Sequence, residues 1–443
     1  MPQAPAASLP ETPATYRQVA SAACFGTFLE WYDFLTFAAL ASHLAQIFFP
    51  QTDPVAALLA SLATFGVGMV VRPLGAALFG SLGDRIGRRT VFMITIALMG
   101  GATFLVGLLP TYAQAGLLAP ALLVLLRLAQ GLAVGGEIGG AAVYLTEHAP
   151  ADKRGAYTSV LQLMGPLGMM ASTAQVVLLQ GWLSPEAFAA WGWRVPFLIS
   201  LVLLVVSIRS RMNLHESPVF QQLRAQRAVS RTPLRECFRD RRTLGRMGLL
   251  FFCISSGGSL LFFSSQVYTG IFLKTVVGLD ATRAGLLVLL STLALFPLTI
   301  GAGWLSDRIG RRRVLLAGLA LGVVGLLPVF MGLEHFGNPA RQQPEMVLLL
   351  LLVPVLALAC VTGPQTAVLA ELFPARTRYS AVALPHNLAA GWIGGLSPFM
   401  VTLLSNWSGH PLAGLWYPVA ILSVGLLVGL RFLPETRDTV LND

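Results

Sequence analysis

The chain has 443 residues, 55% hydrophobic and 11% charged, with a mean hydropathy of +0.71 and a formal net charge of +10. Soluble domains carry roughly 25% charged residues, so this composition excludes a water-soluble globular protein and puts the chain in a membrane. A pI near 10 would ordinarily raise nucleic acid as a partner, but the arginines sit in short loops and one linker between apolar spans, which excludes that reading.

Residues 1–15 are rich in Pro, Ala and Thr and lack a basic stretch, so residues 1–17 read as a disordered cytoplasmic tail rather than a cleaved leader. Twelve apolar stretches long enough to cross a bilayer follow, near 18–49, 55–82, 90–109, 116–147, 155–181, 190–209, 244–275, 281–305, 313–333, 345–373, 378–404 and 411–433. Loops after even-numbered spans are basic, including the 210–243 linker with its eight arginines and three acids. Loops after odd-numbered spans carry only Lys274, Arg283 and Arg341. By the positive-inside rule both termini, the linker and the 434–443 tail are cytoplasmic. The division is a bundle over 18–209, the linker, and a second bundle over 244–433. The linker reads as a solvated tether, with anionic membrane lipid as a secondary partner. Cys24, Cys237, Cys253 and Cys360 have neither metal nor disulfide spacing.

Span 1 carries Glu30 and Asp33. Their i, i+3 spacing predicts two carboxylates on one helix face near mid-membrane, a pair that could bind a proton. Arg127 and Gln130 share a face of span 4, and a guanidinium fork fits a carboxylate bidentately, so both are candidate substrate contacts. A substrate carboxylate competing with a protein carboxylate for Arg127 would couple proton to anion. Arg72 and Glu137 lie at similar depth and are expected to form an interhelical pair. Gly131, Gly135 and Gly139, with Gly136 and Gly140, make a smooth helix face for close packing. Gly165-Pro-Leu-Gly168 reads as a kink. Further substrate-contact candidates are Tyr32, Gln162, Gln266, Tyr268, Gln365, His386 and Asn387. The second half has almost no buried acid, so protons and charge recognition are assigned to the first half and shape selection to the second.

One string occurs twice. Gly80-Ser-Leu-Gly-Asp-Arg-Ile-Gly-Arg-Arg89 returns as Gly303-Trp-Leu-Ser-Asp-Arg-Ile-Gly-Arg-Arg312, identical at eight of ten positions and offset by 223 residues. Glu147-x-x-Pro150 with Arg154 answers Glu371-x-x-Pro374 with Arg378 at an offset of 224. Two similar halves of six spans each predict an all-α membrane protein of twelve helices, in two parallel six-helix pseudo-repeats with a site between them.

The twin strings resemble the loop 2–3 and loop 8–9 signature of the major facilitator superfamily. Gly26-x-x-x-Glu-Trp-Tyr-Asp-Phe34, Arg72-Pro-Leu-Gly75, the Arg127–Glu137 string, Trp191-Gly-Trp-Arg-Val-Pro-Phe197 and Glu216-Ser-Pro-Val-Phe220 resemble its metabolite:proton symporter family. The loop lengths and Gly116-Leu-Leu-Ala-Pro are similar to bacterial citrate/proton symporters. The resemblance implies alternating access, with proton-driven uptake of a small organic anion, citrate or another tri- or dicarboxylate first. A zwitterionic osmolyte such as proline or betaine, and an exporting antiporter, are the alternatives. It also implies that Asp84 pairs with arginine and with a helix N-terminus of the other half. Arg85, Arg88, Glu147, Arg154, Asp307, Arg308, Arg311, Glu371 and Arg378 complete that gating network. No nucleophile–base set, metal box or nucleotide loop is present, so an enzyme and ATP-driven transport are not expected. No cofactor beyond the coupling proton is implied, and a monomer is expected.

Overall fold

The computed structural model describes residues 16–49, 64, 66–212, 216–338 and 343–441. The expectations for the N-terminal tail before Tyr16, the opening of the second span and Arg341 lie outside these residues.

Among the described residues all regular structure is helical. The long helices are α1 (Tyr16–Ala39), α2 (Arg72–Ile86), α3 (Arg88–Leu108), α4 (Leu118–His148), α5 (Ala151–Trp182), α6 (Gly192–Met212), α7 (Arg241–Thr275), α8 (Ala281–Ile309), α9 (Arg311–Phe336), α10 (Pro344–Glu371), α11 (Arg378–Ser408) and α12 (Ala413–Phe432). Ten of them, α3 to α12, are long and apolar enough to cross a membrane. Of the other two, α1 carries Thr27, Glu30 and Asp33 in mid-helix, and α2 follows helical residues 66–70 and a turn at Val71, with the start of its span outside the described residues.

Exposed leucines, valines and isoleucines cover the outside, while arginines and carboxylates are buried inside, the inversion expected when lipid is the solvent. Helices α1 to α6 pack with one another, α7 to α12 likewise, and the halves meet chiefly along two seams, α2 against α11 and the start of α5 against α8, with α4 and α5 also touching α10 and α4 touching α11. At the second seam the backbones almost touch, since a Cβ on Gly303 would lie 2.5 Å from the Gly155 carbonyl oxygen. The glycine face of α4 works as expected. Gly131 and Gly135 lie on the backbone of α2 and its preceding turn, and Gly139 lies on Ala383 of α11.

Helices α7 and α11 each depart from α geometry. Wider π turns run over Leu250–Ser255 and Phe263–Tyr268 in α7, and over Ala389–Gly394 in α11. Such turns concentrate at functional sites, and these flank the space between the halves.

The face that carries the linker is tied together by a repeated set of contacts. Gly87 and Gly310 take φ of +115° and +104°, a backbone region that L side chains avoid, and each ends one helix and starts the next. Glu216 accepts from the Arg88 and Arg89 N–H groups, and Glu435 accepts from those of Arg311 and Arg312. The repeat thus extends to two carboxylates beyond the duplicated strings. The linker holds short helices at Pro218–Ala225 and Pro233–Arg239. Its first arginine, Arg211, belongs to α6 and is buried.

Candidate functional site

Helix α1 splits its two carboxylates between two neighbourhoods. Asp33, fully buried, accepts from Ser200 Oγ of α6 at 3.2 Å and lies within electrostatic reach of Arg127. Arg127 Nη1 donates to Gln130 Oε1 at 2.8 Å, and Gln130 Nε2 donates to Thr103 Oγ1 at 2.7 Å. The guanidinium is stacked between Phe34 and Phe37, 4.6 and 4.3 Å from their ring centroids. These contacts make a buried polar cluster inside the first half. Arg127 and Gln130, expected as substrate contacts, are absent from the lining of the cavity between the halves.

Glu30 turns instead toward α2, with Oε1 3.9 Å from Arg72 Nη2. That is ion-pair range and too long for a hydrogen bond. Positions i and i+3 diverge by about 60° around a helix axis, enough in a crowded bundle to give each carboxylate different neighbours. The expected Arg72–Glu137 pair is also replaced. Glu137 Oε1 accepts from Arg211 Nη2 at 2.5 Å, and Oε2 accepts from Thr95 at 2.8 Å. Arg211 reaches Glu137 because Gly26 of α1 leaves the room its guanidinium occupies. Arg72 Nε donates across the seam to Asn387 Oδ1 of α11 at 3.1 Å.

Between the halves lies a narrow cavity. From the first half it is lined by Thr27, Trp31, Arg72, Gln162, Gly165 and Pro166, and from the second by Gly258, Ser259, Phe262, Phe263, Thr362, Gln365 and His386, among others. Gln162 Nε2 bridges to Thr366 Oγ1 at 2.9 Å, and Ser255 Oγ lies 3.0 Å from His386 Nδ1. Trp31 stands 5.5 Å from the Phe262 ring and rests on α5 at Gly165 and Gly168, whose small size places it there. The Gly-Pro-Leu-Gly string is thus a seat for an aromatic wall.

The other expected substrate contacts lie elsewhere. The Tyr32 hydroxyl is tied to Gln175 and to the Pro196 carbonyl inside the first half. Gln266 accepts from Thr292, and Tyr268 packs on Phe272 and Phe330. None of the three lines the central cavity. Sequence reasoning placed neither Trp31 nor Ser259 at the site, and it gave Arg72 a different partner; the Glu30-Trp31 adjacency was the available signal.

The linker face is closed by two matching constellations. Asp84 accepts from the Tyr379 and Ser380 N–H groups at the start of α11, at 3.2 and 2.8 Å. Asp307 accepts from the Gly155 and Ala156 N–H groups in the first turns of α5, both at 2.8 Å. Each carboxylate meets the positive end of a helix from the other half. Glu147 takes Arg88 at 2.5 Å and Arg378 at 2.8 Å, one from each half. Glu371 faces Arg311 at 3.4 Å and Arg154 at 3.9 Å. Arg85 and Arg308 are exposed and stand apart from these ion pairs, with Arg308 stacked on Trp304. Sequence reasoning missed Glu216 and Glu435, although Leu-x-Glu followed by Ser or Thr occurs at both places.

Comparison with known proteins agrees with this fold. The Sugar (and other) transporter family matches residues 19–243, and the Major Facilitator Superfamily matches residues 259–442. The inner membrane metabolite transport protein YhjE of Escherichia coli is 36% identical over 96% of both chains. The shikimate transporter of Escherichia coli is 35% identical over 96% of this chain and 95% of its own. The proline/betaine transporter of Salmonella typhimurium is 32% identical over 95% of this chain and 84% of its own. Among solved structures, a mutant of XylE superposes with a TM-score of 0.76 at 21% identity, covering 96% of this chain and 98% of its own, which is a likeness of fold. The chain belongs to the major facilitator superfamily: it is a multi-pass membrane transporter and not an enzyme.

Proposed function

We propose that this transporter is a proton-coupled symporter that imports a small organic anion by alternating access. The linker face is the cytoplasmic one, and the cavity between the halves holds the cargo. The observation that carries the reading is the buried Asp33–Arg127 cluster. An ionisable carboxylate buried away from lipid and water, beside a guanidinium, suits one task above others, which is to take up and release a proton. Protonating Asp33 weakens its hold on Arg127, and rearrangement of Phe34 and Phe37 passes that change to α1, which lines the cavity. Glu30, through Arg72, is the second proton-linked carboxylate. Asp84, Asp307, Glu147 and Glu371, with Arg88, Arg154, Arg311 and Arg378, hold the cytoplasmic side shut and part when it opens.

Citrate or another tri- or dicarboxylate is the cargo suggested by loop lengths and one short string. The alternative, a zwitterionic osmolyte, is favoured by a specific observation. Among the similar proteins above is a proline/betaine transporter, and the cavity presents an arginine beside Trp31, Phe262 and Phe263.

Asp33→Asn in proteoliposomes tests the proton assignment. Accumulation driven by an inward proton gradient is expected to be lost while exchange of internal for external substrate persists. Normal accumulation by the variant would remove Asp33 from coupling.

A further inference from the structure

We infer that Arg72 is the anchor for the cargo's charge and that the cavity is built for a small molecule with a single carboxylate. The inference rests on the transport reading above, since it takes the cavity between the halves as the place where cargo sits.

Arg72 is the one arginine or lysine lining the cavity among the described residues. It is 1% exposed, and its donors are unevenly used. Nε is held by Asn387, Nη1 points at the Met69 sulfur 3.7 Å away, and Nη2 has no hydrogen-bond partner. A guanidinium carries five N–H donors, and a buried one ordinarily has them met. The two Nη atoms present the edge that takes a carboxylate bidentately. Glu30, at 3.9 Å from Nη2, is close enough to hold the charge and too far to satisfy the donor. An arriving carboxylate would take that edge from it.

Opposite Arg72 the second half contributes no arginine or lysine among the described residues, and its one titratable group in the lining is His386. Gln365 is 3% exposed, and its Oε1 is a buried acceptor without a partner. It sits there because residue 258 is glycine: a Cβ at that position would lie 2.5 Å from Gln365 Oε1. The aromatic wall of Trp31 and Phe262 completes the lining. One carboxylate on Arg72 and a donor toward Gln365 meet the unpartnered Nη2 and Oε1, a compact body covers the rings, and Glu30, displaced from Arg72, takes the coupling proton. A tricarboxylate would leave two anionic groups against amide, hydroxyl, imidazole and ring with no second arginine or lysine, and uncompensated buried charge is strongly disfavoured. Because Asn387 of α11 shares Arg72, cargo at that edge bears directly on the seam between the halves.

The test is equilibrium binding to the full-length protein in detergent or nanodiscs, with shikimate and glycine betaine as monocarboxylates and citrate as the tricarboxylate. At least one monocarboxylate is expected to bind more tightly than citrate. The binding one identifies the rest of the cargo, hydroxylated or cationic. Arg72→Gln is expected to weaken it roughly 10–100-fold, the range for a hydrogen bond to a charged group. Arg72→Lys, which keeps the charge, is expected to recover part of that loss and serves if the glutamine variant fails to fold. Gly258→Ala, which displaces Gln365 without touching charge, is expected to weaken the same ligand. Preference for citrate, failure of both monocarboxylates to bind, or unchanged binding by the Arg72 variants would overturn the inference. Binding needs no gradient, so the two readings fail separately. Arg72-dependent binding without gradient-driven uptake sinks proton coupling alone, and gradient-driven uptake of citrate sinks the single-carboxylate cavity alone.

Discussion

Asp84 and Asp307 each cap the first turns of a helix in the opposite half, Asp84 at Tyr379 and Ser380 and Asp307 at Gly155 and Ala156. The two contacts are related by the internal repeat, so they open together or the halves tilt unevenly. Charge-assisted bonds of this kind are worth about 1.5–3 kcal/mol each. Asp84→Asn keeps the size of the side chain and loses the charge. It is expected to raise the population open at the linker face by on the order of tenfold.

That opening can be read on a native cysteine. Cys237 is fully buried in the linker helix, which packs on both α2 and α11. Burial, the largest cause, together with nearby Asp84 pushes its thiol up to about 12. A raised thiol pKa keeps the sulfur protonated and unreactive at pH 8, and exposure to water brings the thiolate back. Maleimide labelling at Cys237, followed by mass spectrometry, is expected to be slow in the wild type and faster in Asp84→Asn. Equal rates in the two would separate Asp84 from the closed state.

The α5–α8 seam offers an independent route to the same state. Gly303→Ala brings a Cβ to 2.5 Å from the Gly155 carbonyl oxygen, a backbone atom on the other half that cannot swing aside. Overpacking of this kind costs about 1–3 kcal/mol. The substitution is expected to speed Cys237 labelling and slow gradient-driven uptake, with no loss of helix content by circular dichroism. Unchanged labelling would mean that the seam relaxes locally.

The Glu137–Arg211 pair makes a prediction about stability. Both groups are buried and hydrogen-bonded at 2.5 Å. Glu137→Gln leaves the guanidinium without its counter-charge and is expected to cost about 3–5 kcal/mol, seen as a lower Tm in detergent. Glu137→Gln with Arg211→Met is expected to recover most of the loss, because the stranded charge is then gone. A double variant as unstable as the single one would contradict this reading of the pair.

Much of the architecture was legible in the residues. The twin Asp-Arg-x-Gly-Arg-Arg strings announced two halves and located both closing contacts, because a gate that caps helices needs its carboxylate at a fixed place in each repeat. The site was harder. Counting along a helix gives depth, but not which neighbour a side chain meets. Glu30 and Asp33 have similar depth yet face α2 and α6 respectively. Arg127 and Arg72 are both buried arginines, and only packing shows that the first stacks between Phe34 and Phe37 while the second lines the cavity. Arg211 read as linker charge because its span ends one residue later, at Met212.

The most direct measurement is uptake by proteoliposomes of labelled shikimate, glycine betaine, proline and citrate, with and without an inward proton gradient. The expected result is that a small carboxylate accumulates above its external concentration only when the gradient is present. Equal accumulation with and without the gradient, or efflux of substrate against an inward gradient, would contradict proton-driven import.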